Sequence, residues 1–213
     1  MSAVAYLILG AGGAGRTVAG ACAHLAGNLG FLDDHATTRE VNGIPILGTL
    51  AARAQYRAAQ YIVAFGSRYQ TARRDVFAQW RAEGLRFFTV IAPQAYVDRD
   101  AEIGAGVFIA AQCAVLPNAR IGDNCNLCVA CTVDHDAVLE KGVYLAPGVN
   151  LAGAVVVEEG AFIGTNATVV PGVRIGAWAT VGAGAVVLHD VAPGDVVAGV
   201  PARSLKSLHQ DRV

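Results

Sequence analysis

Seventeen aliphatic residues stand six apart from Ile91 to Val187 without one slip: Ile91, Val97, Ile103, Ile109, Val115, Ile121, Leu127, Val133, Leu139, Leu145, Leu151, Val157, Ile163, Val169, Ile175, Val181 and Val187. Ile, Leu and Val fill only 28 of the 97 positions in that span, so composition alone does not produce this phase and a hexapeptide repeat does. Two residues before many of these aliphatics sits a small side chain: Ala101, Cys113, Ala119, Cys125, Cys131, Ala137, Ala161, Ala167, Ala179 and Ala185. Small groups there let the chain turn a tight corner while the aliphatics stack inside. Three hexads make a triangular coil of 18 residues, so seventeen make nearly six coils.

Before residue 91 the pattern differs. Val4 to Leu9 is a strand candidate, Ala14 to Ala26 a helix, Gly30 to Leu32 and Tyr61 to Phe65 further strands. Ser67 is placed to cap a helix running through Trp80 to Glu83, and Arg86 to Val90 closes the unit. Strand, helix, strand in that rhythm predicts a small parallel α/β sheet. The expected domains are residues 1–90 and 91–213.

A formal net charge of −1, with 54% hydrophobic and 15% charged residues, excludes a disordered chain and a basic nucleic-acid binder. Val4 to Leu9 follows no basic residue and runs into a glycine loop, and Gly142 to Val157 is too short to cross a bilayer, so neither a signal peptide nor a membrane span is expected. A soluble cytoplasmic protein follows, and five cysteines in such a chain are expected as free thiols. Cys125, Cys128 and Cys131 form C-x-x-C-x-x-C, but Cys125 and Cys131 fall on the small-residue position. The other two thiols, Cys22 and Cys113, do not stand at a suitable spacing to supply the fourth ligand, so the run reads as small hydrophobes rather than as metal ligands.

His135, in V-D-H-D, comes two residues after inward-facing Val133 and is expected on an outer edge. His189, in L-H-D, follows three coils later on the same edge, about 14 Å away at the inter-strand spacing, too far to share one atom. Each histidine precedes an aspartate, Asp136 and Asp190. A His–Asp pair suits a general base, because the carboxylate fixes the imidazole tautomer; a solvated turn is the bland reading of both. Two histidines in the repeat are too few for a zinc hydrolase, and no metal is expected.

In the first domain L-G-A-G-G-A-G-R follows a strand and opens a helix, and Gly10, Gly12 and Gly15 fit the dinucleotide fingerprint. Backbone N–H groups of Gly10, Gly12, Gly13 and Ala14 could approach a phosphate there. Asp33 and Asp34 come after the second strand, where ribose or base hydroxyls are read; a structural turn with exposed acids is the alternative.

Together, this glycine-loop unit with L-D-D after its second strand and A-F-G-S after its third, the uninterrupted hexads carrying V-D-H-D, and the closing A-G-V-P-A-R resemble one family over nearly the whole chain. It is that of the nucleotide-sugar acetyltransferases of the sialic-acid O-acetyltransferase and bacillosamine or perosamine N-acetyltransferase type. The resemblance implies a Rossmann-like α/β domain followed by a left-handed parallel β-helix, handedness included. It implies a homotrimer with acetyl-CoA in a cleft between helices. His135 would be the general base beside Asp136. Gly10, Gly12, Gly13, Ala14, Asp33, Asp34, Gly66 and Ser67 would bind a nucleotide-linked amino sugar, and Tyr144, Gly153, Gly164, Gly182 and Arg203 would bind acetyl-CoA. The chain departs from the family at Ala14 and Tyr144, where members carry histidines, and at Cys128, where asparagine is common. The expected activity is N-acetylation of a nucleotide-linked amino sugar; sugar O-acetylation and non-catalytic nucleotide-sugar binding are the alternatives.

Overall fold

The computed structural model describes residues 4–25 and 28–205, and the chain divides into two compact units, residues 1–93 and 94–213. In the first, strands β1 (Val4–Leu9), β2 (Asn28–Leu32), β5 (Gln60–Val63) and β6 (Arg86–Phe87) form a parallel sheet in the order β2-β1-β5-β6. Its core combines aliphatic Leu7, Ile8, Leu9, Leu32 and Ile62 with aromatic Phe31 and Tyr61, all fully buried. Helix α1 (Gly13–Ala21) links β1 to β2, and α2 (Gln70–Ala82) links β5 to β6. A Cβ at Gly15 would collide with the carbonyl oxygen of Gly10, so glycine there lets α1 lie directly on the loop that starts it. Trp80 of α2 packs edge-on against Tyr61 of β5 at 5.1 Å. A small antiparallel pair, β3 (Glu40–Val41) and β4 (Ile44–Pro45), turns through Asn42 and Gly43, both at positive φ as a tight hairpin requires.

Several boundaries differ from the sequence expectation. The first helix starts at Gly13 and ends at Ala21; Cys22–His24 tighten into a 3-10 turn so that Leu25 can leave extended, and Ala26 lies outside the described residues. The second strand starts at Asn28, and the third ends at Val63, although the Ala64 N–H still donates to the Leu9 carbonyl. Ser67 caps no α-helix. It opens a 3-10 turn, Ser67–Tyr69, and α2 begins three residues later. Arg86 to Val90 is not continuous either, because Phe88 and Thr89 separate β6 from Val90–Ile91.

The second unit is a β-solenoid, the left-handed parallel β-helix of hexapeptide repeats, of about six turns counted from residue 90. Each hexad forms a two-residue strand whose second member is the repeat aliphatic, and strands eighteen residues apart pair in parallel. One column runs Tyr96–Val97, Ala114–Val115, Thr132–Val133, Asn150–Leu151, Thr168–Val169, Val186–Val187. Val115, Val133, Leu151 and Val169 from it are buried, as are the preceding Cys113, Cys131, Val149 and Ala167. The small-residue position is therefore inside the corner, which explains three of the five cysteines.

A second periodicity accompanies the first. Three residues after each repeat aliphatic from Ile103 to Val181 the backbone turns left-handed, at fourteen successive positions from Gly106 to Gly184. Gly, Asn and Asp fill most of them, the residues that tolerate positive φ. The period fails after Val187. Val191 bridges to Ile175 and Val197 pairs with Val181, both sixteen residues on, so the last coil is two residues short.

Truncating one member of the internal stack should be felt at once. Leu151 is 1% exposed, and Leu151→Ala is expected to cost about 2–5 kcal/mol of stability. A thermal melt should fall by several degrees, whereas Arg120→Ala, on an outward strand position, should leave the melt nearly unchanged.

Candidate functional site

Each unit carries one chemically distinctive place. In the first, β1 connects to β2 on one side and β5 lies on the other, so the order in which strands are added reverses between the parallel β1 and β5. Crevices beyond the carboxyl ends of parallel strands at such a reversal are the usual ligand position in α/β sheets. A cavity of about 490 Å³ opens there, lined by Gly10, Gly12, Gly13, Ala14, Asp33, Asp34, Ala64, Phe65 and Gly66, with His35, Leu50, Tyr69, Ala72 and Val76 around them. Seven of the eight residues expected to meet a nucleotide sugar line it; Ser67 does not.

The two aspartates have different jobs. Asp33 accepts the Ala11 N–H on Oδ2 and the His35 N–H on Oδ1, both at 2.7 Å, so its carboxylate ties the glycine loop to the end of β2. Among the described residues Asp34 accepts one such bond, from the Leu50 N–H to Oδ1 at 2.8 Å, which leaves Oδ2 available to a hydroxyl or ring N–H. Gly12 and Gly13 have ordinary φ, and a Cβ at either would meet nothing within 4 Å. Gly12 is the N-cap of α1 and Gly13 its first residue. The first-turn N–H groups of a helix have no intrahelical acceptors and favour an anion.

In the solenoid, His135 and Asp136 occupy the corner between strands Thr132–Val133 and Val138–Leu139. The Nδ1–H of His135 donates to Asp136 Oδ2 at 2.8 Å, and Asp136 Oδ1 accepts the Asn118 amide at 3.2 Å. The side chains of His135 and Asp136 are 61% and 55% exposed, so the pair stands on the outer edge. Asp136 is one of the left-handed corner residues, at φ 59°, and its carboxylate is thereby turned back alongside its neighbour. The Asp136 hydrogen bond, then the Asp134 charge, raises the His135 pKa above its ordinary value, and the same bond lowers that of Asp136. On the next coil lies Gly153: a Cβ there would come within 2.6 Å of His135 Cε1 and Nε2, so the ring rests on bare backbone.

The other expected residues scatter. Gly164 faces the backbone of Ala183 and Val181, and Gly182 faces Ala198, contacts that coil stacking itself demands. Tyr144 is buried on an outward strand position, tilted against Phe162, with its hydroxyl 3.5 Å from the Cys128 thiol. Arg203 lines a smaller cavity of about 250 Å³ with His189, Asp190, Asp195 and Ser204, at the short last coil. Asp190 there accepts the Arg174 N–H. Cys113, Cys125 and Cys131 direct their thiols to backbone carbonyls of neighbouring coils.

Sequence reasoning missed His35, Phe65, Tyr69 and Asn118. His35 and Tyr69 follow predicted strands and Phe65 is the last residue of one, so all three could have been found by counting from the strand ends. Asn118 could have been found by subtracting one coil from Asp136.

The sequence matches the family model described as PglD N-terminal domain over residues 6–79 and the bacterial transferase hexapeptide model over residues 154–189. The acetyltransferase domain of PglB from Neisseria gonorrhoeae FA1090, in complex with acetyl coenzyme A, is 35% identical over 96% of this chain and 100% of that chain, with a TM-score of 0.90. PerB from Caulobacter crescentus, in complex with CoA and GDP-perosamine, is 31% identical over 94% and 96%, with a TM-score of 0.87. WeeI from Acinetobacter baumannii AYE is 27% identical over 95% and 100%, with a TM-score of 0.84. Among curated sequences none matches.

Asp136→Asn should lower the His135 titration toward the ordinary value of about 6.5. Asparagine already fills this left-handed corner at positions 118, 124 and 166, so the backbone is kept. The sign follows from the partner: the carboxylate favours the imidazolium, an interaction present at low pH and lost as pH rises through the raised value. Imidazole NMR measures it, and an unmoved titration would mean that Asp136 does not set this proton affinity.

Proposed function

The chain belongs to the family of hexapeptide-repeat nucleotide-sugar acetyltransferases with a PglD-type N-terminal domain, and from that premise we propose that it transfers the acetyl group of acetyl-CoA to the amine of a nucleotide-linked amino sugar. The observation that carries the reading is the His135–Asp136 pair, an oriented imidazole at a solvent-open edge. With Nδ1–H committed to Asp136, Nε2 is the nitrogen that takes a proton. The acceptor nitrogen attacks the thioester carbonyl and gives that proton to His135. The tetrahedral intermediate expels CoA as its thiolate, the C–S bond breaks, and the proton returns to sulfur. A backbone N–H stabilises the oxyanion on the way. A neutral amine is nucleophilic enough that one base suffices.

The cavity of the first unit suits the nucleotide part of the acceptor: bare glycine backbone and a helix N-terminus for phosphate, a free Asp34 oxygen for a hydroxyl or base edge, Phe65 and Tyr69 for a ring. A homotrimer, in which neighbouring helices complete the donor cleft, and a cytoplasmic location, where acetyl-CoA and nucleotide sugars are available, belong to the same reading. No helix among the described residues is long and apolar enough to cross a membrane.

The decisive experiment is a screen of nucleotide-linked amino sugars with acetyl-CoA, reading release of free thiol. On the accepted substrate His135→Ala should lower kcat by about a hundredfold or more without loss of fold, with His189→Ala nearly silent. Near wild-type turnover by folded His135→Ala would remove the general base. Gly13→Val should raise the acceptor KM by about tenfold or more while leaving acetyl-CoA binding unchanged, since a Cβ there meets no protein atom within 4 Å and stands on the cavity wall. Calorimetric titration with nucleotide and with CoA measures both; equal nucleotide binding by parent and variant would leave the cavity without this role.

A further inference from the structure

We infer that Asn118 is a positioning residue of this site: its amide, supplied by the preceding coil, fixes which oxygen of Asp136 faces His135 and thereby which imidazole nitrogen is left to accept the proton. The inference deepens the reading of His135 as the base and rests on it. Asn118 lies eighteen residues before Asp136, at the same corner of the adjacent coil and at the same left-handed φ of 59°. Its Nδ2 donates to Asp136 Oδ1 at 3.2 Å while Oδ2 receives the Nδ1–H of His135 at 2.8 Å.

The need for such a group is physical. Both members of the pair are more than half exposed, and an exposed ionic pair holds its geometry weakly because water competes for each partner. A donor on the second oxygen restrains rotation of the carboxylate, since turning it would break a bond at each end. Held so, Asp136 keeps the proton on Nδ1 and the lone pair on Nε2. The ring contacts Asp136 of its own corner and Gly153 of the coil after, with the charge of Asp134 nearby; the same corner holds Pro117 and Asn118 on the coil before and Ala154 on the coil after, and of these residues only the two aspartates are ionisable. A change at Asn118 therefore reaches the ring through Asp136.

The competing explanation is that asparagine occupies position 118 only because it tolerates left-handed backbone, as Asn124 and Asn166 do. Asn118→Ala separates the two. Alanine holds the same corner at Ala130 (φ 60°) and Ala154 (φ 57°), so the fold survives the change. The positioning role predicts a kcat lower by roughly three- to tenfold, both KM values within about twofold, and an acid limb of the rate profile displaced to lower pH as the imidazole loses its oriented partner. Asn118→Asp, which keeps the shape but brings a negative charge instead of a donor, should also lower kcat and displace the limb to higher pH. Long-range proton–nitrogen NMR of the substrate-free protein should show the His135 tautomer mixed in Asn118→Ala and single in the parent. An unchanged tautomer and rate profile in folded Asn118→Ala would overturn the inference. Because the tautomer is read without turnover, a mixed tautomer together with an active His135→Ala protein would instead retain the positioning and remove the base.

Discussion

The pairing of each coil with the next determines everything else in the second unit. A strand residue donates its N–H to a carbonyl seventeen residues ahead, as Thr132 does to Val149 and Val138 to Val155. The left-handed corner residue donates the other way, to a carbonyl nineteen residues behind, as Asp136 does to Pro117 and Ala154 to His135. Corners of this solenoid are therefore bonded as regularly as its strands. Turns of most proteins lie exposed and mobile, but His135 sits on a turn whose carbonyl is engaged by the coil after it and whose neighbour is engaged by the coil before. That is how a side chain more than half in solvent can have a defined place.

The same pairing draws on several of the acidic side chains. At the corners preceding the Asn126, Tyr144 and Phe162 strands, Asp123 accepts the Ala105 N–H, Glu140 that of Glu159 and Glu158 that of Ala177. Arg174 first, then the Ala177 N–H, holds the Glu158 carboxyl below its usual range. These carboxylates satisfy backbone donors between coils, and their charge is spent on the fold. Asp136 differs because its own N–H bonds to the previous coil while its carboxylate turns to His135.

What the sequence revealed, and what it concealed, follows from which pattern was periodic. The aliphatic hexads are visible because burial tolerates only Ile, Leu or Val there, and the parallel sheet because Val4 to Leu9 is an unbroken apolar run. The left-handed corner is just as regular, yet Asn118, Ala130, Gly142 and Trp178 share no chemistry; it is a backbone requirement that different residues meet at different cost. Ser67 misled because a serine before a helical stretch is a good cap only at the right distance, and the 3-10 turn Ser67–Tyr69 intervenes. Asp33 and Asp34 read alike in sequence. Only the bonds from Ala11 and His35 reveal that the first is a brace and the second is the freer of the two.

Glycine gives the sharpest separation between folding and binding. Gly104, Gly122, Gly164 and Gly176 each face neighbouring backbone so closely that a Cβ would force a shift, and Gly15 faces Gly10 in the same way. Packing explains them. Gly12, Gly13 and Gly66 have open space where a Cβ would be and no positive φ, so neither packing nor conformation requires glycine. Open space alone is a weak argument, because Gly20 on α1 shows it as well. The difference is location: Gly12, Gly13 and Gly66 line one cavity beyond the ends of β1 and β5, and Gly20 does not. A glycine that costs chain entropy and gains the fold nothing calls for another account, and the nucleotide phosphate proposed for this cavity supplies one, since it would need N–H groups with nothing in front of them.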